Sequence, residues 1–255
     1  MNTLDENAVA MIIGASGGIG LALTQRLLDH SRSGCVWAAC RRPDNAALAA
    51  LAQRHGDRLR LIAMDVGDSD SIAEAFAVVE SKTPQLHLLI NAFGFLHDAD
   101  AQIWPEKRIE DISAEGLEAN FRINAMAPAL IARQAFPLLN HRQRAVFASL
   151  SARVGSISDN RLGGWYAYRA SKAAQNMLTR SLAVEAGRRA KRLICLALHP
   201  GTTDSALSAP FQSRVPQGKL FTPDFAASQL LARIDNAGIE DSGQFYAWDG
   251  EPIPW

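Results

Sequence analysis

Short apolar runs rich in Val, Ile, Leu and Ala recur along the chain, and the longer stretches between them carry apolar residues at helical spacing. Residues 8–13, 35–40, 59–64, 86–91, 145–150, 193–198 and 245–248 read as strands. Residues 19–29, 44–54, 69–80, 124–139 and 166–188 read as helices. Strands that are apolar throughout are buried on both faces, as happens when crossover helices cover a parallel sheet from both sides. Their alternation with helices predicts βαβ units, and hence an α/β doubly wound parallel sheet of about seven strands with helices on both faces. No internal repeat, low-complexity stretch or Pro/Gly-rich linker interrupts the pattern, so residues 1–255 are expected to form a single domain. The least regular stretches, 93–111 and 202–220, follow the fourth and sixth strands. Loops at the carboxyl ends of parallel strands are where such sheets build their sites.

Composition narrows the class of partner. Lys plus Arg and Asp plus Glu both number 26, so no net charge attracts nucleic acid or an anionic membrane, and a small molecule is expected instead. No apolar run approaches the roughly 18 residues of a membrane span. The first six residues are acidic where a secretion signal would be basic, and a cytoplasmic location is expected. The odd number of cysteines (Cys35, Cys40, Cys195), all in apolar segments without ligand spacing, implies reduced packing residues, with neither disulfide nor metal.

Directly after the first strand comes Gly14-Ala15-Ser16-Gly17-Gly18-Ile19-Gly20, leading into the first helix. Glycines here allow a tight turn, close approach to a pyrophosphate and close packing of helix on strand, while the helix N-terminal amides attract phosphate. Such a pattern in isolation is weak, but its place between strand and helix makes it a Rossmann-type dinucleotide signal. The end of the second strand has no acid to bind a ribose 2′-hydroxyl; it has Arg41 and Arg42, whose guanidinium forks suit a 2′-phosphate. The expected cofactor is therefore NADP(H) in preference to NAD(H), although a solvated basic turn would look the same. Asp65 and Val66, after the third strand, are placed to border the adenine, against the plainer reading of Asp65 as a turn residue.

Tyr168 and Lys172 are four apart on the 166–188 helix and so project from one face. A nearby ammonium favours the phenolate, so the pair can serve as acid and base near neutrality. Tyr166 has Ala170 at the same spacing and cannot form that pair.

With Gly14-xxx-Gly18-x-Gly20, Asn91-Ala92-Phe93-Gly94, Asn124, a serine on the fifth strand, Tyr168-xxx-Lys172 and Pro200-Gly201 in this order, the chain resembles the short-chain dehydrogenase/reductase family over nearly its whole length. Residues 155–160, 163–172 and 249–255 are most similar to C-factor and sniffer-type carbonyl reductases. The resemblance implies an NADP(H)-dependent oxidoreductase transferring hydride between nicotinamide and a carbonyl or alcohol substrate, with Tyr168 as general acid/base. It implies that Asn124 holds a water linking Lys172 to solvent, that Asn91 to Gly94 line the cofactor, and that Pro200, Gly201, Thr202 and Thr203 meet the nicotinamide carboxamide. It also implies a homodimer or homotetramer packed through the helices carrying Asn124 and Tyr168.

Some positions depart from the family. Position 13 is Ile where the family usually has Thr, and Ala92-Phe93 stands where Asn-Ala is usual. The family's catalytic serine stands three residues before a glycine, which here is Ala152, before Gly155. Ser151 is the first candidate for that role, Ser149 the second, and a weakened or missing serine the third. Its role would be to hydrogen-bond the carbonyl oxygen as charge develops. Trp104, Trp165, Phe211 and His97 lie where a pocket wall is expected, with ordinary packing as the alternative. Phe93 and Phe95 would add apolar surface near cofactor or substrate, or would pack in the core. A different class of function, a dinucleotide-binding regulatory protein of C-factor type, stays open because of the serine.

Overall fold

The computed structural model describes residue 4 and residues 7–30 and 34–255; of the acidic start at residues 1–6, all but Leu4 lies outside the described residues. The strands are β1 (Val9–Ile13), β2 (Cys35–Cys40), β3 (Leu59–Ala63), β4 (Leu88–Asn91), β5 (Ala145–Leu150) and β6 (Leu193–His199), then the short β7 (Thr202–Thr203) and β8 (Leu220–Phe221), and β9 (Gln244–Ala247). The helices are α1 (Gly18–His30), α2 (Ala46–His55), α3 (Ser69–Lys82), α4 (Ala114–Phe121), α5 (Ala127–Leu139), α6 (Tyr166–Arg189) and α7 (Pro223–Asp235). Seven strands form one parallel sheet in the order β3-β2-β1-β4-β5-β6-β9, the doubly wound arrangement with its order reversing beside β1.

The apolar strands bury both faces. Ala10, Ile12, Val146, Ala148, Leu196 and Leu198 join the core under α1 and α7, while Met11, Ile13, Ala145, Phe147 and Cys195 join the core under α3, α5 and α6. The three cysteines are free thiols on strands, Cys40 and Cys195 buried. All seven expected strands and five expected helices are present, with ends differing by a few residues, as frayed termini do.

Three elements were not expected. α4 starts on a capping serine, whose side chain accepts from Gly116 N at 3.0 Å; it shows little apolar periodicity in sequence. α7 starts with Thr222 accepting from Phe225 N and has Pro223 in its first turn. The third is the β7–β8 pair, in which Thr202 lies opposite Leu220 and Thr203 opposite Phe221, closing the 202–220 loop. Between α4 and α5 the chain runs through a π-helical turn, Arg122–Met126. A π turn widens the helix by one residue and is common at functional sites; this one carries Asn124.

Candidate active site

At the carboxyl ends of β1, β2 and β4, the turn after β1 meets the end of β2 and the loop after β4 through main-chain contacts. Gly14 N and Ala15 N both donate to Ala39 O, at 2.8 and 3.1 Å, and Ala92 N donates to Ile13 O at 2.8 Å. Gly14 has φ +88°, and a Cβ there would lie 2.7 Å from Ala92 O. A Cβ on Gly20 would lie 2.1 Å from Gly14 O, so the helix starts in direct contact with the turn. Ser16, Gly17, Gly18 and Ile19 complete this turn, and Ser16 to Gly18 are exposed. Arg41 and Arg42 follow β2 directly and are exposed, with no hydrogen bond or ion pair to either guanidinium among the described residues. Asn91 is buried at the end of β4. Its amide donates to Ser149 Oγ at 2.9 Å, while its carbonyl oxygen is buried without a partner. A turn that only glycine fits, free guanidinium groups beside it and an orphaned acceptor suit a phosphorylated dinucleotide lying across these loops.

Asp65 accepts from Gly67 N at 2.9 Å, so its carboxylate shapes its own turn; Val66 and Gly67 line a cavity of about 330 Å³ with Arg122 and Met126. Phe93 packs against the core under α3, α5 and α6, which favours the packing reading for that ring. Phe95 is held by its backbone: Phe95 N donates to Asn124 Oδ1 and Asn124 Nδ2 donates to Phe95 O, both at 2.8 Å. Asn124 Nδ2 also reaches Asn120 Oδ1 at 3.2 Å and Ser171 Oγ at 3.0 Å. The Asn124 side chain therefore clips the loop after β4 to the π turn and to α6, and is occupied by protein groups.

Tyr168 and Lys172 are both buried on α6, with Lys172 Nζ 5.9 Å from the centre of the Tyr168 ring. Lys172 Nζ donates to Leu150 O at the end of β5 and to Gln175 Oε1, each at 2.9 Å. Burial pushes the Tyr168 phenol well above its usual range and pulls the Lys172 ammonium down to about 7. The lowered phenol expected from the pairing is thus not produced by the protein's own groups, because the ammonium is turned toward Leu150 and Gln175 and desolvation dominates.

The two serines are both committed. Ser149 accepts from Asn91, and Ser151 Oγ donates to Asn176 Oδ1 at 2.6 Å. The Ser151 hydroxyl thus points to a residue two helical turns beyond Tyr168.

An aromatic wall runs outward from Tyr168. The Trp165 ring stands edge-on to it at 6.2 Å, Phe211 lies 5.1 Å from Trp165, and His97 sits 5.8 Å from Phe211, stacked on Trp104 at 5.3 Å. Both His97 nitrogens are covered and without partners. Phe211 reaches Trp165 from the 202–220 loop closed by the β7–β8 pair, where Thr203 is buried and Thr202 exposed, just past Pro200-Gly201.

Glu106 was not anticipated. This buried carboxylate accepts from Ala167 N through both oxygens at 3.3 Å, and its main-chain oxygen accepts from Trp165 N at 2.5 Å. It thereby caps the N-terminus of α6, one residue before Tyr168, where a negative charge suits the helix dipole. Gln175, Asn176 and Asn120 were also missed; the polar row Tyr168, Lys172, Gln175, Asn176, Thr179 along a buried helix face was the signal that could have found the first two.

A parallel sheet with a glycine turn on its first strand and a buried Tyr–Lys pair on the helix beside its fifth defines a dinucleotide-dependent oxidoreductase. The model of the short chain dehydrogenase family matches residues 8–215, and the chain belongs to that family. Among solved structures it is similar to the NADPH-bound carbonyl reductase from chicken fatty liver, 29% identical, TM-score 0.85, covering 99% of this chain and 100% of that one. It is also similar to the carbonyl reductase Sniffer of D. melanogaster, 26% identical, TM-score 0.84, covering 98% and 99%. The C-signal protein of Myxococcus xanthus is 32% identical over 145 residues, 57% of this chain and 82% of that protein. Among the described residues no helix is long and apolar enough to cross a membrane.

Proposed function

We propose that the protein is an NADP(H)-dependent carbonyl reductase in which Tyr168 donates the proton as a carbonyl becomes an alcohol. The observation that carries this reading is the burial of Tyr168 and Lys172 together on one face of α6, at the foot of the aromatic wall. When bound, the cofactor supplies the hydride. The Gly14–Gly20 turn, Arg41 and Arg42, Asp65 and Val66, residues 91–94 and residues 200–203 would hold it, with Arg41 and Arg42 facing the 2′-phosphate. Tyr168 gives its hydroxyl proton to the carbonyl oxygen. A phenol kept protonated by burial suits reduction, and Lys172, near 7, can carry charge at neutral pH and return a proton to the phenolate. Asn124 keeps the β4 loop against α6. Ser151 can act on the oxygen only by leaving Asn176. Trp165, Phe211, Trp104 and His97 favour a substrate with an apolar, aromatic part. The relatives' carbonyl reductase activity supports the same class.

A homo-oligomer packed through the Asn124 turn and α6 belongs to this reading, supported by the exposed Met126, Met177, Leu178 and Val184 on those elements. Light scattering tests it, and a monomer at all concentrations refutes it.

The decisive experiment follows NADPH absorbance with a panel of aromatic and aliphatic aldehydes and ketones. Turnover should fall on the order of 10³-fold in Tyr168→Phe with NADPH binding kept. The second reading, a dinucleotide-binding regulatory protein, rests on the two committed serines and the likeness to C-signal. Tight NADPH binding with no turnover above the Tyr168→Phe background would establish it instead.

A further inference from the structure

Gln175 is a polar side chain almost wholly buried, 2% exposed, on the face of α6 that carries Tyr168 and Lys172. Burying an amide is unfavourable unless both its ends are bonded. Here Oε1 accepts from Lys172 Nζ at 2.9 Å, and Nε2 donates to Leu150 O at 3.2 Å. Leu150 O in turn accepts from Lys172 Nζ at 2.9 Å. Lysine, glutamine and the last carbonyl of β5 thus close a triangle, and the polar partners of the Gln175 side chain among the described residues are the lysine and the carbonyl that the lysine uses.

We propose that Gln175 is a positioning residue that keeps the Lys172 ammonium charged and held at the end of β5, leaving its third N–H for the cofactor side of the site. The inference rests on the reading of Tyr168 and Lys172 as the proton-handling pair. An ammonium has three donors; two are fixed by the triangle. The chemistry of the surroundings makes such a holder necessary. Gly94 approaches from the β4 loop, Gly155 packs on the lysine Cβ, and Asn124 lies beside Gly94. None of these carries charge. Tyr168 is the titratable group facing Lys172, and it is neutral when protonated. With no carboxylate opposite it among the described residues, burial works against the charged lysine, and the Gln175 carbonyl and Leu150 O are what oppose it.

The test reads Lys172 directly, by NMR titration of protein labelled with ¹³C at the lysine ε-carbon, the signal being assigned by its loss in Lys172→Met. In Gln175→Met, which keeps the shape and removes the acceptor, the Lys172 midpoint should fall by about one pH unit, the worth of roughly one hydrogen bond to a charged group. In Gln175→Glu it should rise by at least as much. The high-pH limb of carbonyl reduction should move in the same directions. An unchanged Lys172 midpoint in Gln175→Met, or shifts of one sign in both variants, would overturn the proposal; should Gln175→Glu not fold, the methionine variant alone decides. If the midpoints move as expected while Tyr168→Phe turns over like the parent, the proton-donor reading is what fails, and Gln175 remains the holder of the lysine.

Discussion

The half of the sheet proposed to face the nucleotide and the half proposed to carry the chemistry are built from different materials. In the first, β1 through β4, loops and strand ends are joined through main-chain atoms: Gly14 and Ala15 to Ala39, and Ala92 to Ile13. In the second, side chains far apart in sequence do the joining: Asn124 to Ser171 across 47 positions, Ala167 to Glu106 across 61, Ser151 to Asn176 across 25. A main-chain site tolerates almost any residue that fits, but forbids a Cβ where backbones touch. A side-chain site depends on each partner's chemistry. Substitutions should therefore fail by sterics in the first half and by polarity in the second.

The largest effect is expected at Gly14. Alanine there must adopt φ +88° and put its Cβ 2.7 Å from Ala92 O. Strain and clash together should cost on the order of 3 kcal/mol of stability, read from the denaturant midpoint, with NADPH binding lost as the β4 loop is pushed away. A Gly14→Ala protein with parental stability and affinity would break the contrast between the halves.

Next comes Lys172, where polarity should act with the opposite sign. Its folded pKa of about 7 lies below the ordinary 10.5. The unfolded chain therefore holds more protons between these values, and stability should rise with pH across that window. Below pH 7 the full penalty for burying the charge is present. Lys172→Met should remove it, stabilising the fold by on the order of 2 kcal/mol at pH 6 to 7 after Leu150 O and Gln175 lose their donor. The gain should fade toward pH 10. Thermal melts of parent and variant at both ends of that range check this, and a destabilised variant at pH 6 would contradict it. Such a gain with loss of turnover is what a group kept for chemistry at the expense of stability produces.

How much was legible in sequence follows the same division. The glycine turn, Arg41 and Arg42, and Tyr168-xxx-Lys172 each lie within a few residues, so local spacing exposes them. The five central strands were legible because unbroken apolar runs of strand length, bounded by turn residues, suit strands buried on both faces, while the edge strands β3 and β9 are only partly buried. Glu106 was hidden because its partner, the first turn of α6, lies about 60 positions away, in a segment that reads as irregular. The 202–220 loop was opaque because its order comes from a pair of two-residue strands, too short for any period. The partner of Ser151 was hidden for a third reason: alternation along β5 tells which face a side chain takes, and not which partner awaits it there.

Arg41 gives a smaller effect that compares the two forms of the cofactor. It is exposed and uses no protein partner among the described residues, so Arg41→Ala should leave the fold unchanged. Calorimetric titration should show NADPH affinity weakened on the order of tenfold or more and NADH affinity nearly unaffected, since a hydrogen-bonded charge pair to phosphate is lost in one case only. Equal losses would move the 2′-phosphate away from this turn.

Ser151→Ala should have the smallest effect on chemistry, and it sharpens the comparison most. If its hydroxyl stays on Asn176, alanine leaves Asn176 Oδ1 buried without its donor, costing about 1 kcal/mol of stability. Turnover should then fall less than about tenfold, whereas removing a donor to the developing oxyanion costs about 10²- to 10³-fold. A loss of the larger size, with the substrate that Tyr168→Phe abolishes, would show that Ser151 swings from Asn176 to the carbonyl during reaction. With the smaller loss, Ser149→Ala becomes the informative variant. That hydroxyl accepts from Asn91, whose own carbonyl oxygen is already unpartnered, so removing it should loosen the junction of β4 and β5, next to the loop proposed to hold the nucleotide. A similar small loss there would leave Tyr168 and Lys172 as the groups that act on the carbonyl oxygen.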